Sequence, residues 1–152
     1  KNKDILIVGN KNPTFAQNLF DNINRNKYSV DIIDDWITKE EFQLKLAQSK
    51  ISIHLPKQLE EHYIPGIEAM MLKSFVIIPD CVGNRSYSLN NETCSISEYS
   101  LNGFLKSLEN VLNMPNSIFN HMISNAFRST AMYSTQIESS SIHKALILAE
   151  NL

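Results

Sequence analysis

Apolar positions fall along the chain in short runs separated by helical spacings. Ile5-Leu6-Ile7-Val8 is a continuous β-branched run stopped by Gly9-Asn10, which predicts a strand buried on both faces. Pro13 opens a stretch in which Phe15, Leu19, Phe20 and Ile23 recur at helical spacing. Val30, Ile32 and Ile33 predict a second strand ending in Asp34-Asp35. Thr38 with Glu41 three positions on reads as a capping box for a helix carrying Phe42, Leu44, Leu46 and Ala47. Ile51, Ile53 and Leu55 form a third strand closed by Pro56. Pro65 starts a helix with Ile67, Met70, Met71 and Leu72, and Phe75-Val76-Ile77-Ile78 is a fourth strand ended by Pro79-Asp80. A short fifth strand is expected around Cys94-Ser95-Ile96-Ser97, followed by helices over Leu101–Leu112 and Ile118–Phe127. Thr135 and Glu138 predict a last capping box, ahead of a helix with Ile142, Ala145, Leu146 and Ala149. Four strand–helix repeats with short connections imply a parallel sheet with helices on both faces. The expected fold class is α/β, a Rossmann-like three-layer α/β/α sandwich with C-terminal helices, in one domain over residues 1–152.

Composition narrows the function. The 152 residues are 43% hydrophobic and 20% charged, with a net charge of −2. A basic face for nucleic acid is not available, the more so with only Arg25, Arg85 and Arg128 as arginines. No apolar run approaches the roughly 18 residues of a membrane span, and none sits behind a basic start as a signal peptide's would. The chain begins at Lys1 and runs straight into a strand, so a piece of a longer protein is expected. Cys81 and Cys94 lack C-x-x-C spacing and read as reduced core thiols in a cytoplasmic protein rather than as a bridge. His54, His62, His121 and His143 show no zinc-site spacing, and four glycines cannot build G-x-G-x-x-G or a Walker loop.

In an open parallel sheet, ligands bind outside the carboxyl ends of the strands. Pro65 suits a first helical position, and the free N–H groups around it, with the positive end of the helix dipole, make an anion site. Gly66, without a side chain, is expected to admit a phosphate to the backbone. Trp36, after the second strand, reads as a half-buried lid residue, with stacking on a base as the alternative.

Glu60-x7-Glu68, with Pro65 and Glu68-Ala69-Met70 ahead of Phe75-Val76-Ile77-Ile78-Pro79-Asp80, resembles the E-x7-E signature of retaining GT-B glycosyltransferases, family 4 (group 1). Asp80, Gly83, Asn84 and Arg85 are similar to that family's loop after the same strand, and Ala126-Phe127-Arg128 and Tyr133-Ser134 to its closing helices. The resemblance implies the C-terminal, donor-binding half of a GT-B fold, acting on a nucleoside diphosphate sugar. It implies that Glu60 is catalytic and contacts the transferred sugar, and that Glu68 holds the ribose hydroxyls. It implies further that backbone N–H groups of Tyr63 and Ile64 face the diphosphate, with Gly9, Gly66, Gly83 and Asn84 completing the donor site. Transfer would be of the hexosyltransferase type, with retention and without a metal or other cofactor. The partners would be the nucleotide-sugar donor and a glycan or lipid-linked acceptor held by a preceding domain, in polysaccharide or glycoconjugate synthesis at the cytoplasmic face of the membrane. The fragment alone would be inactive.

Two departures carry expectations of their own. The family's Glu–Gly–Phe–Gly is Glu60-Glu61-His62-Tyr63 here. Ile7-Val8-Gly9, Val30–Ile33 and Ile51–Ile53 fall where the family has its second, third and fourth strands. The first strand, with the Gly–Arg and Lys that grip the diphosphate, is therefore expected to be missing. The alternative to an enzyme part is a non-catalytic Rossmann-like binding or interaction module.

Overall fold

The computed structural model describes residues 1–133. Five strands, β1 (Lys3–Val8), β2 (Val30–Ile33), β3 (Ser49–His54), β4 (Phe75–Pro79) and β5 (Ser95–Ser97), form one parallel sheet in the order β2-β1-β3-β4-β5. Five helices, α1 (Pro13–Asn22), α2 (Lys39–Gln48), α3 (Ile64–Met71), α4 (Leu101–Leu112) and α5 (Asn116–Ser129), surround it. Ser134, the capping box at Thr135 and Glu138, and the last helix read from the sequence lie outside the described residues.

The continuous apolar runs have their predicted consequence. Ile5, Ile7, Ile53 and Ile77 face α1, α4 and Met122 of α5, while Leu6, Val8, Val76 and Ile78 face α2, α3 and Ala126 of α5. Both sheet faces are dry, and each fully buried Ile or Leu contributes about 1.5–3 kcal/mol. The caps set where the helices begin. Asn12 accepts from the Phe15 N–H (3.3 Å), Thr38 from the Glu41 N–H (3.2 Å) and Ser100 from the Gly103 N–H (3.0 Å).

In a doubly wound sheet of order 3-2-1-4-5-6, the strand expected to be missing would lie between β1 and β3. Among the described residues β1 pairs directly with β2 through Ile5–Val8 and with β3 from Lys3↔Ser49 to Val8↔His54, with no strand between them.

Candidate functional site

From β1 the chain steps outward to β2, then returns past β1 to β3 and continues the other way. The loops after β1 and β3 consequently diverge and leave a crevice at the point where the strand order reverses. The turn after β1 is fixed by Gly9 N–H to the Ile33 carbonyl (2.8 Å) and Asn12 N–H to the Gly9 carbonyl (2.8 Å). Gly9 itself is packed against Ala16 of α1, which leaves no room for a side chain. Lys11 reaches from this turn across the crevice. Its Nζ pairs with Glu60 Oε1 of the β3–α3 loop and lies 5.6 Å from the centre of the Tyr63 ring. Glu60 Oε2 also accepts from the Lys57 N–H (3.4 Å). The Lys11 and Glu60 side chains keep only 22% and 16% of their exposure, so the pair is held at the crevice rather than waving in solvent.

Beside this pair, between the β2–α2 loop and the start of α3, opens a cleft of about 410 Å³. Its walls are mainly apolar: Val8, Ile33, Trp36, Phe42 and Ile64. Glu68, on the second turn of α3, brings its carboxylate to this cleft and accepts from Gln43 Nε2 of α2 (3.2 Å). Trp36 is 76% exposed at the rim, so it is not the half-buried lid that the sequence suggested.

Behind the crevice lies a buried polar seam. The Tyr63 N–H donates to the Gly83 carbonyl (3.2 Å), and the Tyr63 carbonyl accepts from the Tyr87 hydroxyl (2.5 Å). The Tyr63 phenol lies 3.3 Å from Nδ1 of His54, whose Nε2 lies 3.0 Å from Ser52 Oγ. Complete burial holds the His54 pKa down to about 3, so the ring is neutral, and the same loss of solvent raises the Tyr63 phenol well above its ordinary value. Asn84, buried, donates to the Pro79 carbonyl (2.7 Å) and accepts from the Cys81 N–H (3.2 Å), which ties the turn after β4 to its strand. Arg85 grips Asp80 through two bonds (2.9 and 2.7 Å) at the surface.

No family model matches the chain, and no curated protein matches it in sequence. Solved structures do. Sucrose-phosphate synthase from Thermosynechococcus elongatus matches 97% of this chain with a TM-score of 0.70 at 13% identity. The C-terminal domain of a glycosyl transferase group 1 family protein (LpcC) from Francisella tularensis matches 80% with a TM-score of 0.61 at 16% identity. The fold is that of a GT-B C-terminal domain. This chain spans 46% of the length of the first structure and 64% of the second.

Within this GT-B-type domain the residues singled out from the sequence divide in two. Glu60, Glu68 and Ile64 border the crevice. Ile64, 58% exposed, is the residue whose N–H opens α3. Tyr63 and four positions expected to touch the donor do other work. The Tyr63 N–H is spent on Gly83. At Gly66 a Cβ would stand 2.5 Å from the Tyr87 hydroxyl, so packing against Tyr87 already requires a glycine there. A Cβ on Gly83 would stand 2.6 Å from the Glu60 carbonyl. Asn84 is consumed by its own turn, and Gly9 by α1. These residues hold the loops rather than face the crevice. Lys11 and His54 were not assigned a role by sequence reasoning. Lys11 had a signal, a lone cation just past a strand end. Among the described residues no three His, Cys, Asp or Glu side chains gather as metal ligands would, and no helix is long and apolar enough to cross a membrane.

Proposed function

We propose that this chain is the donor-binding domain of a retaining glycosyltransferase, which passes a hexosyl group from a nucleoside diphosphate sugar to a glycan or lipid-linked acceptor in polysaccharide or glycoconjugate synthesis. The observation that carries the reading is the crevice at the strand-order reversal, with a carboxylate (Glu68) in an apolar cleft and a cation (Lys11) at its mouth. In this reading the nucleoside lies in the 410 Å³ cleft, its base against Trp36 and its vicinal ribose hydroxyls donating to Glu68. The diphosphate lies between Lys11 and the Ile64 N–H, where the positive end of the α3 dipole stabilises the leaving phosphate and no metal is required. Glu60, adjacent to Lys11, meets the transferred sugar. The acceptor is held by a further domain of the parent protein at the cytoplasmic face of the membrane, and the isolated domain transfers nothing.

Titration with nucleoside diphosphates and their sugars, followed by calorimetry and by the fluorescence of Trp36, the one tryptophan, tests the reading. Both ligand types should quench Trp36 with or without chelator. Glu68→Ala should weaken both by roughly tenfold or more, the worth of a hydrogen bond to a charged group. A second reading, a non-catalytic Rossmann-like binding module, is favoured by one specific observation: Lys11 and Arg85 already sit on carboxylates. Failure of every nucleotide to bind would select it.

A further inference from the structure

The charges of this domain are sorted between the two ends of its sheet. Acidic side chains gather past the carboxyl ends of the strands: Asp34 and Asp35 after β2, Glu60 and Glu61 after β3, Asp80 after β4. Lys11 and Arg85 there are matched by Glu60 and Asp80, and Lys57 stands against the remainder. Lysines gather at the amino ends: Lys3 opens β1, Lys27 precedes β2, Lys50 lies at the start of β3 and Lys73 ahead of β4. An acidic chain is therefore turned away from the crevice end and drawn to the opposite one.

Two adjoining hollows, of about 280 and 370 Å³, open at the amino ends and share Lys50 and Phe119. Their floor is apolar, with Ile51 and Val111 buried and Met114, Phe119 and Ile123 half-buried. Phe119 is fixed by stacking on Phe75, 4.9 Å between ring centres. Lys1, Lys50 and Lys73 stand exposed around the rim, each held by a partner on a different element. Lys1 Nζ donates to the Leu46 and Leu72 carbonyls (3.2 and 3.0 Å), Lys50 pairs with Asp4 of β1 (2.8 Å), and Lys73 lies over Phe127 of α5 (4.8 Å). Asp4 is the one carboxylate that lines either hollow, and Lys50 already neutralises it.

We propose that this groove is a docking site for an acidic polypeptide segment, with an apolar side chain seated on Phe119 and carboxylates on Lys1, Lys50 and Lys73. Three ammonium groups tied to separate partners suit carboxylates spaced along a chain better than a single small anion. A flat bilayer meets the lysines but leaves the recessed floor unfilled, and it would hold the crevice on the side away from the membrane. A peptide answers both the floor and the rim. The proposal is independent of the donor-domain reading, because its residues lie at the other end of the sheet from Lys11, Glu60 and Glu68.

The test uses a fluorescein-labelled peptide with glutamates on both sides of a central leucine, read by anisotropy and by amide-detected NMR of the ¹⁵N-labelled protein. The peptide should bind saturably and shift the backbone amides of Lys50, Lys73 and Asn120 while the Trp36 indole N–H stays put. Replacing its glutamates by glutamine should weaken binding at least about tenfold, and replacing its leucine by glycine at least about threefold. Lys73→Gln should weaken it about two- to fivefold, the worth of an exposed ion pair. Lys50→Gln should cost more, since it also releases Asp4, which Ser29 keeps in place through two bonds (3.0 and 2.9 Å). Raised salt should weaken the glutamate peptide. Absence of saturable binding, equal binding of the glutamine peptide, unchanged affinity in both lysine variants, or shifts centred on Trp36 would overturn the proposal. So would co-sedimentation with anionic phosphatidylglycerol vesicles in the absence of peptide binding, since the face would then be a lipid surface.

Discussion

Lys11 cannot serve a phosphate and Glu60 at once without cost, and the cost can be read from the geometry. A phosphate oxygen settling on the Lys11 ammonium would bring its charge to about 6 Å from the Glu60 carboxylate. At an effective dielectric of about 20–40 the repulsion is about 1.4–2.8 kcal/mol. Both side chains retain some solvent, 22% and 16%, which screens the interaction toward the lower figure. Glu60→Gln keeps the shape of the side chain and removes the charge. It should therefore tighten a nucleoside diphosphate by roughly tenfold, the sign opposite to that of a simple binding residue. On the proposed reading a nucleotide sugar should gain less than the diphosphate, because the same substitution removes the carboxylate assigned to the sugar. Lys11→Met should weaken both. Calorimetry at low and moderate ionic strength provides the measurement, with the gain shrinking as salt screens the charges. Equal weakening of diphosphate and nucleotide sugar by Glu60→Gln would refute the argument, as would an unchanged affinity in Lys11→Met.

Three further outcomes follow from the buried seam and the glycines. His54 is neutral and its pKa lies near 3 instead of 6.5, so between those values the unfolded chain binds a proton that the folded one does not. Stability should accordingly be complete above pH 6.5 and fall by up to about 1.4 kcal/mol per pH unit below it. Denaturant melts from pH 7 to 4.5 would show this slope, and His54→Gln should flatten it; an identical slope in the variant would exclude His54 as its source. Gly66→Ala should cost about 1–3 kcal/mol by driving Tyr87 off the Tyr63 carbonyl, and less in a Tyr87→Phe background, where the nearest atom is gone. Additive losses in that double-variant cycle would count against the contact. Asn84→Ala should lower stability by about 2–3 kcal/mol in thermal melts, since it strands a buried N–H and a buried carbonyl at once.

The sheet was legible because its information is local. Ile5–Val8 and Phe75–Ile78 are strands by their own composition, and the helix at Pro65 begins within one residue of its reading. The order of the strands is not local information. Nothing within Ile5–Val8 distinguishes a strand with β3 beside it from one separated from β3 by another strand. β3 was read from Ile51, Ile53 and Leu55 alone. Ser52 and His54 on its other face are equally buried, because they bond one another and Tyr63 in place of water. For the site, Glu60 and Glu68 were found by their spacing and do border the crevice. Gly66, Gly83 and Asn84 were found as special positions, and the structure gives each a packing or turn role of its own. A glycine required by Tyr87, twenty-one residues away, looks in sequence like one required by a ligand.

The contact of Gly83 with the Glu60 and Glu61 backbone makes the loops after β3 and β4 a single mechanical part. Neither can be exchanged alone. An effort to alter ligand preference by transplanting the Lys57–Gly66 loop from a related domain would collide with the resident turn at Val82–Asn84 unless Pro79–Ser88 travelled with it. Conversely, the two segments moved together carry their own internal bonds, Tyr63 to Gly83 and Tyr87 to Tyr63, into any parallel sheet of matching strand spacing. The wall of the crevice is thus a cassette, and its natural unit of exchange is two loops that the chain itself keeps apart by a helix and a strand.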